Sequence, residues 1–225
     1  MTNAEYAETE AARQARQKRG VWITIVTIFA IILLFGGMFL HKVLSPRILS
    51  AQELRANGAF VFEQPRLIEE FELVNHRGEP FTHEHLKGQW TIAFFGFTQC
   101  PDICPTTLAT LSRVMNSLDE SVREQTRVIM VSLDPARDTP EQLAEYVPFF
   151  HKDFVGVTGD FLEIMGLTRN VGVAFSKIVQ GDDYTVDHTG NLVLINPEGL
   201  YHAFYKPPFE LARLKLVHQS IVSSR

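Results

Sequence analysis

The chain has 225 residues, 45% of them hydrophobic, and a formal net charge of −5, enough apolar material for one anchored domain or two small ones. An acidic balance leaves none of the basic footprint that nucleic-acid binding usually requires. Two cysteines are too few for a disulfide framework, and a close pair is more often redox-active or metal-binding than a scaffold.

The first landmark is VWITIVTIFAIILLFGGMFL, residues 21–40, apolar except for Thr24 and Thr27. As a helix it is about 30 Å long, the thickness of a bilayer core. It is longer than a signal-peptide core, and no clear small-residue cleavage site follows, so it reads as an uncleaved single-pass anchor. Arg13, Arg16, Lys18 and Arg19 precede it, while Lys42, Arg47 and Arg55 follow at wider spacing. That bias expects the N-terminus inside and the rest of the chain outside the cytoplasm. Glu5, Glu8 and Glu10 argue against a mitochondrial transit peptide. The expected location is therefore a bacterial inner membrane with the C-terminal domain in the periplasm. The organisation reads as a cytoplasmic tail (1–20), the anchor (21–40), a polar tether with one early strand (41–64) and a globular domain (65–225).

Strand candidates in that domain are 91–97, 126–133, 154–159, 173–179 and 192–197. The first two are nearly continuous apolar runs, as in strands buried on both faces of a sheet. Helix candidates lie between them. The segment 106–118 carries Leu108, Leu111, Val114, Met115 and Leu118 at helical spacing. Thr139 before Pro140 is a capped start for 140–150. Asp160 caps 161–171, and 209–222 closes the chain. NPEGLYHAFY is a turn leading into a further strand. The alternation argues an α/β fold, a parallel core extended by an antiparallel hairpin.

Both cysteines lie in QCPDICPT, at the carboxyl end of the strand 91–97, where open α/β sheets carry their chemistry. Each precedes a proline, which biases Cys100 and Cys104 toward extended backbone. The helix is then expected to begin at Pro105. Both sulfurs would stand near the positive end of its dipole, which favours thiolate. Three readings compete. A structural disulfide closes too short a loop to stabilise much. A redox dithiol departs from the usual spacing of two intervening residues. A soft metal site suits two thiolates but demands a third ligand from elsewhere.

Eight histidines could supply it. His41 borders the anchor and reads as interfacial. His83 and His85 in FTHEHLKG read as solvated loop residues, and His76, His151, His202 and His218 as structural. His188 in VDHTGNLVLINPEG precedes the strand 192–197, with Asp187 and Thr189 placed to orient its ring. Asp102, between the cysteines, complements a helix N-terminus or takes part directly. Asp134 follows the strand 126–133 at the same sheet end as the cysteines, or simply opens a turn. Arg137 and Asp138 pair locally or start a helix.

GFTQCPDICPTTL, VSLDPARDTPEQLAEY and VDHTGNLVLINPEG together resemble the Sco/SenC family, from about residue 65 to the C-terminus. The resemblance implies a thioredoxin-like fold behind a single membrane anchor. It implies copper, as Cu(I) or Cu(II), held by Cys100, Cys104 and His188, with Asp102, Asp134 and Asp187 as candidate supporting groups. It further implies a metallochaperone for the CuA centre of cytochrome c oxidase, its partner the oxidase's copper-bearing subunit. The alternative is a thiol–disulfide oxidoreductase in which Cys100 and Cys104 reduce the receiving cysteines and are themselves served by a thiol reductant. A peroxidase-like member of the fold lacks a second cysteine elsewhere to resolve it.

Overall fold

The computed structural model describes residues 3–44, 47–181 and 183–224. The chain divides after Arg47 into two compact units. The first contains the helix α1 (Asn3–Leu44). Within it Gln17–Leu40, with a mean hydropathy of 2.7, is long and apolar enough to cross a membrane. Thr24 and Thr27 satisfy their hydroxyls on the Gly20 and Ile23 carbonyls of the preceding turn, so neither interrupts the apolar surface. The side chain of His41 lies outside the described residues.

The second unit begins at Ile48. In chain order it comprises α2 (Ala51–Ala56), β1 (Ala59–Arg66), β2 (Glu72–Asn75), β3 (Pro80–Thr82), a 3-10 turn (His83–Leu86), β4 (Trp90–Gly96), α3 (Ile103–Ser117), α4 (Glu120–Glu124), β5 (Thr126–Ser132), α5 (Pro140–Phe150), β6 (Val155–Gly159), α6 (Phe161–Asn170), β7 (Phe175–Gln180), β8 (Asp183–His188), β9 (Leu192–Ile195), β10 (Tyr201–Tyr205) and α7 (Leu211–Ser223). Eight strands form one sheet in the order β1-β10-β9-β4-β5-β6-β2-β3. β4, β5 and β6 run parallel, and the flanking strands pair antiparallel. Every residue of β4 is buried, as its unbroken apolar run requires of a strand covered on both faces. Local chemistry sets the helix starts. The Thr139 hydroxyl accepts the Gln142 N–H with Pro140 at the first helical position, and the Asp160 carboxylate accepts the Leu162 N–H.

Three expectations change here. The segment assigned to a tether at 41–64 holds its early strand, β1, and also the helix α2. Ser50 and Glu53 form a capping box on α2, Leu49 donates its N–H to the Ser220 hydroxyl in α7, and β1 pairs with β10 along the sheet edge. The strand expected at 173–179 starts at Phe175 and does not join the main sheet. It pairs with β8 as a separate two-stranded hairpin whose first strand is exposed over five of its six residues. His83 is not solvated; it is buried at 8% exposure.

His218 has the structural role expected of it. Its Nε2–H donates to the Thr126 hydroxyl at 2.8 Å, because that hydroxyl's own proton goes to the Val122 carbonyl. Nδ1 is left to accept from the Tyr205 hydroxyl at 2.9 Å. This neutral relay ties α7 to β5 and β10. Full burial pulls the His218 pKa down from 6.5 to about 3.

Candidate metal centre

β4 delivers the cysteines. Gly96 ends the strand, and a Cβ there would stand 2.9 Å from the Cys104 sulfur and 2.8 Å from the Phe94 ring. Glycine is therefore what lets the thiol lie against the strand. Beyond it, Phe97 accepts the Cys100 N–H on its carbonyl at 3.3 Å, and the chain turns into α3. The helix starts at Ile103 rather than Pro105, so Cys104 lies inside the first turn although it precedes a proline. First-turn N–H groups have no intrahelical partner, so Pro105 forfeits nothing there. The Thr106 N–H closes the first helical bond on the Asp102 carbonyl at 3.2 Å. Asp102 is exposed at the N-cap, and its carboxylate accepts the Thr106 hydroxyl at 3.4 Å.

Both cysteines are free thiols, Cys104 buried and Cys100 half-buried. The Cys104 N–H points at the Cys100 sulfur at 3.4 Å and would support negative charge on it. The thiolate expected at Cys104 does not follow. Burial, then its hydrogen bond with Cys100, pushes that thiol well above the usual range, because desolvation outweighs the helix end.

A polar frame holds the loop. Asp138 is buried, and its carboxylate accepts the Thr98 N–H at 3.0 Å, the Thr98 hydroxyl at 2.6 Å and the Ser132 hydroxyl at 2.6 Å. The sequence placed Asp138 in a local pair or a helix entry; it joins the cysteine loop to the end of β5. Asp134 is also buried. It accepts from Arg137 and, at 2.8 Å, from the Tyr184 hydroxyl of β8, with the Lys177 ammonium of β7 at 3.7 Å. Arg137 reaches Gln99 of the cysteine loop and Asp183 of the hairpin, each at 3.1 Å, and lies over the Tyr184 ring. Asp134 and Arg137 thus connect the thiol loop to the β7–β8 hairpin. Only the DPARD segment hinted at this, by falling at the same strand end.

His188 is the last residue of β8 and is half-buried. Four residues later β9 begins, and β9 runs antiparallel to β4, with Ala93 opposite Val193. The imidazole therefore reaches the cysteine end of the sheet, where its ring meets the Phe97 ring edge-on at 6.5 Å. Its Nδ1 lies 3.1 Å from the Thr189 carbonyl. A carbonyl only accepts, so Nδ1 carries the proton and Nε2 keeps a free lone pair, the tautomer a metal-binding histidine needs. The orienting group is a backbone carbonyl; Asp187 is exposed and lies across the hairpin from Ser176. Among the described residues, Cys100, Cys104 and His188 are not gathered to within 4.8 Å of one another, whereas Glu70, His83 and Glu84 are.

Residues 62–218 match the family model described as SCO1/SenC. A protein of Stutzerimonas stutzeri named "Putative copper-binding protein" is 40% identical over 74% of this chain and 82% of its own length. Mitochondrial SCO2 of Saccharomyces cerevisiae is 37% identical over 76% of this chain, but only 58% of that longer protein is covered. The solved structure of Arabidopsis thaliana ScoI with copper bound superposes with a TM-score of 0.62 at 35% identity, covering 68% of this chain and 98% of the other. With the thioredoxin-like α/β fold and the paired cysteines at the end of its central strand, the chain belongs to the SCO1/SenC family.

Proposed function

We propose that this chain is a membrane-anchored copper-binding protein that holds one copper ion through the Cys100 and Cys104 sulfurs and His188 Nε2. In this reading copper is cargo for the CuA centre of cytochrome c oxidase. One observation carries the proposal: two thiols lie at the end of the central strand, and a histidine whose Nδ1 bond leaves Nε2 bare lies at the same end of the sheet. Two thiolates and one imidazole are a soft set suited to Cu(I). Copper takes the place of the proton that burial holds on Cys104, so loading releases it. Donors sharing one ion at about 2.0–2.3 Å stand within about 4 Å of one another. Loading therefore brings the three donors closer together, and the Asp134–Tyr184 and Arg137–Asp183 contacts tie the hairpin to the site.

The span Gln17–Leu40 is the anchor in this reading. The basic residues ahead of it favour a domain on the periplasmic side of a bacterial inner membrane, and the partner in this reading is the oxidase's copper-bearing subunit. Ile103, exposed beside the cysteines, and the neighbouring Pro207 and Phe209 line a groove of about 350 Å³ that offers the subunit an apolar contact.

The close approach of the two cysteines, with the Cys104 N–H on the Cys100 sulfur, favours a second reading, a dithiol reductant for the receiving site. Cys100 and Cys104 would give up two electrons and two protons and close into a disulfide, while the receiver's disulfide opens to two thiols. A thiol reductant would then restore the pair.

Anaerobic Cu(I) titration of the reduced chain in detergent, against a competing chelator, separates the two. The copper reading expects one tight equivalent that Cys100→Ser, Cys104→Ser and His188→Ala each remove. Weak binding, with disulfide reduction that survives His188→Ala, would move the assignment to the reductant.

A further inference from the structure

We propose that Glu70, His83 and Glu84 form a second metal site, for a divalent transition ion such as Zn²⁺, at the opposite end of the sheet from the cysteines. This inference is independent of the copper reading. Gly199 belongs to the turn between β9 and β10, at the end where β4 begins, because Thr91 at the start of β4 pairs with Ile195 at the end of β9. The seven residues of β4 separate the two ends by about 20 Å.

His83 Nε2 lies 3.1 Å from the Gly199 carbonyl. A carbonyl cannot donate, so Nε2 carries a proton, and in the neutral ring Nδ1 presents a bare lone pair. Gly199 has φ +79, and a Cβ there would stand 3.0 Å from Nε2, so the turn needs glycine both for its backbone and for the ring's approach. The side chain is nine-tenths buried, and Nδ1 has no hydrogen-bond partner. It faces Glu70 Oε1 at 3.9 Å and Glu84 Oε1 at 4.0 Å. Three possible ligand atoms converge within 4.8 Å. The centre of such a triad is a place for a cation.

One imidazole and two carboxylates are an oxygen- and nitrogen-rich set. It suits Zn²⁺ and similar divalent ions and discriminates against the Cu(I) that thiolates prefer. The stacked Phe71 and Phe81 rings fix the backbone beside Glu70 and just ahead of the turn. Both glutamates are mostly exposed and free to close on an ion. The Lys87 ammonium bonds Glu84 Oε1 and is the built-in competitor.

The test is calorimetric Zn²⁺ titration of the full chain in detergent, in a Cys100→Ser/Cys104→Ser/His188→Ala background that removes the other donors. The expected result is one bound equivalent, weakened at least tenfold by His83→Gln and by Glu70→Gln and tightened several-fold by Lys87→Ala. Because the Glu70 side chain is exposed, Glu70→Gln decides the matter if His83→Gln fails to fold. No binding in the background, or affinity unmoved by Glu70→Gln, would overturn the site.

Discussion

The two parts of the candidate copper centre are built differently. The thiol loop is part of the core: Cys104 lies against Gly96, and the Asp138 carboxylate takes three hydrogen bonds that lock Thr98 to Ser132. The histidine arrives on a hairpin that forms its own sheet, exposed along β7 and tied down through the Asp134 and Arg137 side chains and the buried Val186. Two of the proposed donors are thus fixed in the scaffold and the third is carried on an arm. A protein that must both hold and release its metal gains from that division, since moving the arm opens the site without unfolding the scaffold.

The largest break in this comparison is at the scaffold. Cys100→Ser or Cys104→Ser should weaken Cu(I) binding by at least about a thousandfold, ~4 kcal/mol, in chelator competition. Asp138→Ala should destabilise the domain by about 3 kcal/mol, because it strips charged hydrogen bonds from a buried site. Denaturant unfolding followed at the near-UV signal reads this directly, and an unchanged midpoint would show that the loop does not depend on the frame.

Acid probes the scaffold from its far side. Folded His218 stays neutral down to about 3, while the unfolded chain takes up its proton below 6.5. The contribution of His218 is therefore full above that pH and falls by up to about 1.4 kcal/mol per pH unit below it. His218→Gln should flatten that slope in unfolding curves between pH 6.5 and 4. The arm is the gentlest test. Tyr184→Phe removes one bond to Asp134, about 1 kcal/mol, and should weaken copper several-fold while leaving the unfolding midpoint of the core nearly unmoved.

How much of this the sequence discloses follows from where the determining contacts lie. The buried strands β4, β5, β6 and β9 announce themselves as apolar runs, and α5 and α6 by Thr139–Pro140 and Asp160. β1 shows only as an unplaced early strand, and β2 and β3 stay hidden, because strands near a sheet edge mix buried and exposed residues; nothing local tells β7 that it pairs with β8 alone. At the site, CPDIC and DHT are local signals and can be read directly. The burial that holds the proton on Cys104 depends on the Gly96 backbone and the packed sheet behind it, and the burial of His83 on a turn 116 residues away. Asp138 was visible as part of a motif, but its hydrogen bonds reach back 40 residues to Thr98. Residue types that bear chemistry are legible; the environments that tune them come from long-range contacts.

The most direct measurement is X-ray absorption at the copper edge of the Cu(I)-loaded chain beside its His188→Ala variant. Two sulfur ligands and one nitrogen ligand are expected in the native chain, with the nitrogen shell lost in the variant. A sulfur-only shell in the native chain, or a nitrogen shell that persists without His188, would contradict this ligand set.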